Sequence, residues 1–162
     1  MVILGVDPGF SITGFGVMKR DGRKVSVLDY GALRMDSSKP LSERIHIFHD
    51  FFVSKIEQWQ VSVVALETPF LGKNAQNFLK LGYLRGVLYL LAHKYKLELC
   101  EFSPREVKLS VTGFGGAEKE QVARVIVRLL PGMALPKKLD ITDALAVTLC
   151  GIWKQVALQK LV

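Results

Sequence analysis

Four carboxylates carry the chemistry in this sequence: Asp7, Glu67, Asp140 and Asp143. Asp7 closes the apolar run Val2 to Val6 and is followed by Pro8-Gly9, while Glu67 closes Val61 to Leu66 and is followed by Thr68-Pro69. Such β-branched runs read as strands buried on both faces, and proline then breaks the ladder and turns the chain. A carboxylate at the end of a central strand is costly unless it is paired or binds a cation. In open α/β sheets, ligands gather outside those strand ends. Asp7 alone would pass as a turn-former. Asp140-Ile-Thr-Asp143 adds two acids three residues apart, on one face of a helix's first turn. One acid there serves as a cap on the helix dipole, which leaves the second unexplained.

If that turn packs beside the two strand ends, four carboxylates converge. Two bare carboxylates roughly 4 Å apart repel by about 4 kcal/mol at an effective dielectric of 20, and divalent cations remove that penalty. Hard oxygen ligands without cysteine or histidine favour Mg²⁺ or Mn²⁺ over zinc. An all-acid site with two such ions suits phosphodiester hydrolysis, one ion generating the attacking hydroxide and the other stabilising the leaving oxygen.

The elements that must position these acids follow from periodicity. Val2–Val6, Ile12–Met18 and Lys24–Tyr30 read as strands, with the hairpin signal Asp21-Gly22 between the second and third. Leu41 to Gln58 has apolar residues at helical spacing (Leu41, Ile45, Phe48, Phe52, Ile56). His46 and His49 lie three apart on it; without a third ligand in the pattern they read as a polar flank. A helix between them makes the Val61–Glu67 strand a parallel neighbour of the first, which would bring Asp7 and Glu67 together.

Asn74 to Tyr95 reads as a helix apolar nearly all round, expected to be buried on every side by its own core or by a second subunit, with Gly82 and Gly86 on one face. Leu97–Phe102 is a fifth strand, and Ser103-Pro-Arg-Glu106 a capping box that opens a helix to about Ser110. Helices over Ala117–Leu130 and Asp140–Gln155 complete the chain. The expected class is α/β: a mixed five-stranded sheet, three antiparallel strands then two parallel, with helices on both faces.

Composition sets outer limits. At 162 residues the chain is expected to be one domain, 1–162, burying about 68–70% of its unfolded surface. It is 49% hydrophobic with net charge +7 and mean hydropathy +0.25. That excludes a disordered tail and suits a polyanionic partner such as nucleic acid. Cys100 and Cys150 lack CxxC spacing and read as buried thiols. Asp7 interrupts the N-terminal apolar run too early for a signal peptide. Phe78–Ala92, the longest hydrophobic stretch noted, contains Lys80 and Arg85 and is too short for a bilayer. A cytoplasmic protein without a membrane partner is expected.

Beyond these patterns, an ordered series of motifs resembles one family. Ile3-Leu-Gly-Val-Asp-Pro-Gly9, Thr13-Gly-Phe-Gly16, Glu67 with Phe70, Lys73-Asn-Ala75, Leu79-Lys-Leu-Gly82, Arg85-Gly86, Ser103-Pro-Arg-Glu-Val-Lys108, Thr112-Gly-Phe-Gly115, Ala117-Glu-Lys119 and Asp140-Ile-Thr-Asp-Ala-Leu-Ala146 are similar to RuvC, the bacterial Holliday-junction resolvases. The resemblance covers nearly the whole chain. It implies an RNase H-like fold, a homodimer, Mg²⁺-dependent symmetric nicking of four-way DNA junctions, and a branch-migration motor partner (RuvA–RuvB). Carried over, Asp7, Glu67, Asp140 and Asp143 are the metal-binding acids. Lys108 and Lys119 are basic residues near the active site, and Phe70 is an aromatic beside the junction. Lys73 and Arg105 are further expected DNA contacts. Asn77, Phe78, Tyr83 and Leu84 are bulkier than is usual in the family's interface helix, and Phe10-Ser11 stands where Ser-Arg is common.

Three other readings fit the same residues. An RNase H-like nuclease acting on RNA–DNA hybrids or another branched substrate would use the same acids. A sugar kinase or actin-like ATPase shares the first strand and hairpin but needs two such domains. A junction-binding scaffold without catalysis would gain nothing from four acids.

Overall fold

The computed structural model describes residues 1–69, 75–130 and 139–159. Five strands form one sheet: β1 (Val2–Asp7), β2 (Ile12–Asp21), β3 (Lys24–Arg34), β4 (Val63–Glu67) and β5 (Glu98–Phe102), in the order β3-β2-β1-β4-β5. The β1–β2 and β2–β3 pairs are antiparallel, and the β1–β4 and β4–β5 pairs parallel. The helices are α1 (Leu41–Trp59), α2 (Ala75–Lys94), α3 (Pro104–Thr112), α4 (Lys119–Leu129) and α5 (Leu139–Gln159).

Alternation along β1 sends side chains into two cores. Ile3, with Met18 and Ala65, packs under α3, α4 and α5. Leu4 and Val6, with Val17, Val64 and Leu66, pack under α1 and α2 against Phe48, Phe52, Leu84, Leu88 and Leu91. All of these are buried, and cutting such a leucine to alanine costs about 2–5 kcal/mol.

Three features refine the sequence reading. β2 and β3 run on to Asp21 and Arg34, because strand pairing in an edge hairpin continues past the apolar run that marks burial. α2 is covered by its own chain on one side only: Leu84, Leu88, Leu91 and Ala92 face inward, whereas Phe78, Leu79, Tyr83 and Leu90 are exposed, leaving the second subunit as the cover that the sequence reading allowed for the other side. Among the described residues, the helix long and apolar enough to cross a membrane is α5, although the longest hydrophobic stretch read from sequence lies in α2. α5 is a core helix instead, with Ala144 to Cys150 continuously buried against β1 and β2.

Its seat is made of glycine. A Cβ on Gly5 would stand 2.1 Å from Thr148 Oγ1, one on Gly14 would stand 2.0 Å from the Asp140 carbonyl oxygen, and one on Gly16 would stand 2.7 Å from Leu145 Cδ2. These three positions lie on β1 and β2, and only hydrogen side chains let the helix descend so close to the sheet. Thr148 Oγ1 turns its proton inward to the Ala144 carbonyl at 2.7 Å, so the approach buries no open donor.

Candidate active site

Parallel register brings the first two acids side by side. Val6 pairs with Leu66, and Asp7 and Glu67 follow at the carboxyl ends of β1 and β4. Gly14 is the β2 partner of Asp7. Because the first turn of α5 rests on Gly14, Asp140 and Asp143 arrive over the same strand ends. The packing that seats α5 thus also assembles the acids.

The loop after Asp7 is held from both sides. Buried Thr13 donates through Oγ1 to the Gly9 carbonyl at 2.8 Å and accepts from the Gly9 amide at 3.1 Å. Arg44 of α1 donates to the Phe10 carbonyl, and its guanidinium lies 4.6 Å from the Phe10 ring centroid. Neither residue was singled out as functional from sequence. Thr13 lies inside a quoted motif, but Arg44 is 34 residues from its partner and no local pattern announces it.

Asp7, Glu67 and Asp143 line a cavity of about 170 Å³ together with Lys108 and Lys119. Lys119 Nζ donates to Asp143 Oδ2 at 2.6 Å. Asp140 is half-buried and does not line this cavity, yet its charge acts on Asp7, Asp143 and Lys119.

Burial, reinforced by the Glu67, Asp143 and Asp140 charges, pushes the Asp7 carboxyl up to about 8. Burial and the Asp143 charge push Glu67 up to about 7, against the pull of Lys119 and Lys108. Asp143 is raised by burial, partly offset by its bond to Lys119. For Lys119, burial disfavours the charge, but the Asp143 bond and neighbouring carboxylates outweigh it and hold its pKa above the ordinary lysine value. A cluster of acids that resist ionising together, with oxygen donors only, fits a hard divalent cation.

Other expected residues fall differently. Arg105 is exposed on α3, its Cγ against the Gly115 backbone, and lines neither this cavity nor the one described below. Phe70 and Lys73 lie outside the described residues. His46 and His49, read from sequence as lacking a third ligand, have one: with Asp50, their ligand atoms lie within 4.8 Å of one another. Among the described residues this is the tightest ligating trio, tighter than the acids. Its members are solvent-facing and bonded to each other, His49 Nδ1 standing 2.8 Å from Asp50 Oδ1. The four acids do not form a trio within that distance. A wider cleft of about 650 Å³, between β3 and the α4–α5 ends, includes none of the acids.

The sequence and the fold recur in known proteins. Residues 3–151 match the family profile of RuvC, the crossover junction endodeoxyribonuclease. The chain belongs to the RuvC family. The crossover junction endodeoxyribonuclease RuvC of Chloroherpeton thalassium is 42% identical over 158 residues, 98% of this chain and 85% of that one. Its counterpart from Chlorobium phaeobacteroides is 46% identical over 152 residues, 94% of this chain and 81% of that one. A solved structure of Thermus thermophilus RuvC in complex with Holliday junction substrate superposes with a TM-score of 0.88 at 26% identity, covering 96% and 94% of the two chains. The five-stranded mixed sheet is accordingly the RNase H-like fold of the RuvC resolvases.

Proposed function

We propose that this chain is a structure-specific endonuclease that resolves four-way DNA junctions, with Asp7, Glu67, Asp140 and Asp143 as its metal-binding acids. The carrying observation is the convergence of three of these acids and two lysines in one cavity, where burial and mutual charge push the Asp7 and Glu67 carboxyls up to about 8 and about 7. Two Mg²⁺ ions, or Mn²⁺ in their place, would supply an activated nucleophile and stabilise the leaving oxygen of an in-line displacement. The chain's own residues do the rest. Lys119 holds Asp143 in place and, with Lys108, offsets the charge of an entering phosphate. The seat of α5 on Gly14 fixes the spacing between the strand-end acids and the helical pair. The +7 net charge steers the polyanion.

Junction resolution requires two nicks in strands of like polarity, and one acid cluster reaches one of them. A C2 homodimer supplies the second. Its proposed contact is the outer face of α2, where Phe78, Leu79, Tyr83 and Leu90 are exposed. Beside them, a Cβ on Gly82 or Gly86 would meet nothing within 4 Å among the described residues. Phe70, Lys73 and Arg105 are proposed DNA contacts, Phe70 by stacking on an unpaired base, worth about 1–3 kcal/mol. The chain would act in the cytoplasm as a single domain, alongside a RuvA–RuvB motor.

The test is cleavage of synthetic four-way junction, linear duplex and RNA–DNA hybrid, each with Mg²⁺ or EDTA. Paired nicks confined to the junction and abolished by EDTA are expected. Preferential cutting of the hybrid would overturn the junction reading and leave the metal chemistry standing.

A further inference from the structure

A second cavity, of about 270 Å³, opens on the other side of the same acids. Asp7, Glu67 and Pro104 line both cavities, while Pro69, Leu81 and Arg85 line only the second. Lys108 and Lys119 supply positive charge to the first. In the second, the sole cation among the described lining residues is Arg85.

Arg85 projects from α2 with its side chain 17% exposed. One terminal nitrogen, Nη2, donates to both Glu101 Oε1 and Tyr89 Oη, and the Tyr89 hydroxyl donates to the same Glu101 oxygen at 2.6 Å. The Tyr89 ring centroid lies 5.5 Å from the guanidinium carbon. Nε is buried and has no hydrogen-bond partner among the described residues. A guanidinium has five N–H donors in a rigid fork. Here Nη2 is fixed by Glu101 and Tyr89 and Nε is enclosed, which leaves Nη1 without a hydrogen bond among the described residues. An oxyanion is the natural complement of the guanidinium donors that remain. The cavity's own carboxylates, Asp7 and Glu67, are committed to the metal site.

We propose that Arg85 binds the phosphate adjacent to the scissile one on the cleaved strand. The strand then runs from the Lys108–Lys119 cavity, across Asp7 and Glu67, into the Arg85 cavity, and flanking phosphates are gripped on both sides of the cut. This rests on the reading of the acids as the cleavage site. Arg85 is a substrate-binding residue for that reaction, and Glu101 with Tyr89 are the residues that position it.

The experiment is single-turnover cleavage and binding of synthetic junctions carrying one neutral methylphosphonate at successive positions flanking the cut. It is run with the wild-type protein and with Arg85→Gln, Arg85→Lys and Glu101→Gln. Arg85→Gln should weaken junction binding about tenfold or more and lower the salt slope of binding by about one. One methylphosphonate position should penalise the wild type about tenfold and Arg85→Gln not at all. Glu101→Gln retains the guanidinium and should keep both the salt slope and that position-specific penalty. Arg85→Lys, which keeps a charge for Glu101 and so preserves the fold, should keep the slope and most of the position-specific penalty, because an ammonium still neutralises that phosphate. Identical penalties in the wild type and both Arg85 variants would overturn the proposal. So would Arg85→Gln and Glu101→Gln lowering the melting temperature alike with no change in salt slope, since Arg85 would then be a scaffold ion pair only. Wild-type nicking in Mg²⁺ would survive either result, so the acid site would stand. Nicking by Asp7→Asn would remove both readings.

Discussion

α5 and α2 are the two long apolar helices of the chain, 21 and 20 residues, and glycine marks each of them in opposite ways. Under α5 the glycines are in the sheet, and every one of Gly5, Gly14 and Gly16 is pressed against helix atoms closer than a Cβ would tolerate. On α2 the glycines are in the helix, and nothing among the described residues fills the space beside Gly82 and Gly86. The first set is satisfied within the chain and aligns acids from β1, β4 and α5. The second is a notch flanked by exposed Leu79, Tyr83 and Leu90. Apolar surface together with the helix-destabilising cost of glycine, about 1 kcal/mol each, suits a helix that meets a second copy. One glycine set builds the candidate active site; the other is proposed to pair it with its twin.

The sharpest way to break the α5 side is Gly14→Val. The new side chain would collide with the Asp140 carbonyl, whose carbon and oxygen lie 2.7 and 2.0 Å from the Cβ position. Backbone cannot swing aside like a flexible side chain, so destabilisation of about 3 kcal/mol or more is expected. Cleavage should fall below detection even in the fraction that stays folded. Thermal melting and a junction-nicking assay check both arms; near wild-type activity would mean that Asp140 and Asp143 do not depend on this seat.

The α2 side is sharpened by Gly86→Leu. Because the space beside Gly86 is open within the chain, the fold should be almost unaffected, with the melting temperature of the monomer within a few degrees of wild type. Sedimentation should show a weakened dimer. On cruciform plasmid, linear product should drop about tenfold while nicked circles persist, since each site works but the two are uncoupled. Unchanged self-association would place the dimer contact elsewhere.

A smaller effect separates the two regions by pH. The unfolded chain ionises Asp7 and Glu67 near pH 4, whereas the folded metal-free protein keeps them protonated up to about 8 and about 7. The folded state therefore holds more protons in this window, and its stability falls as pH rises from about 4 to 8. In EDTA the wild type should lose at least a few degrees of melting temperature between pH 6 and pH 8.5 relative to Asp7→Asn, since 1 kcal/mol is about 2–4 °C at this size. Mg²⁺ should restore the wild type at the alkaline end. Parallel pH profiles in the two proteins would mean that Asp7 is ionised without metal. Among the described residues the α2 face has no cluster of raised carboxyls, so Gly86→Leu should share the wild-type pH profile.

Much of this was legible in the order of residues. Apolar runs of five or six that end in Asp7 and Glu67 mark parallel strands, and a helical pattern between them forces the crossover that makes them neighbours. The capping box at Ser103 reads directly, and the structure has both of its hydrogen bonds. Asp140 and Asp143 share a face by spacing alone. What sequence could not display is contact across distance. The clamp of Arg44 on Phe10 joins α1 to the loop after β1, and the grip of Lys119 on Asp143 spans 24 residues. Arg85 faces a cavity shared with Asp7 only because α2 crosses that end of β4 and β5. Asp50 completes a trio with His46 and His49 because a third ligand one residue on is as close as one a full turn away. Hydrophobicity likewise left the cover of α2 open, since an apolar helix is the same string of letters whether its cover comes from its own chain or from another.

The central claim is that Asp7 binds metal for cleavage and is not needed for holding DNA. Wild type and Asp7→Asn should be compared for junction nicking at saturating Mg²⁺ and for junction binding in Ca²⁺ or EDTA, on the same labelled junction. The account predicts complete loss of nicking by Asp7→Asn, with binding equal to wild type or slightly tighter because a charge that repels phosphate is gone. Appreciable residual nicking by Asp7→Asn would contradict it.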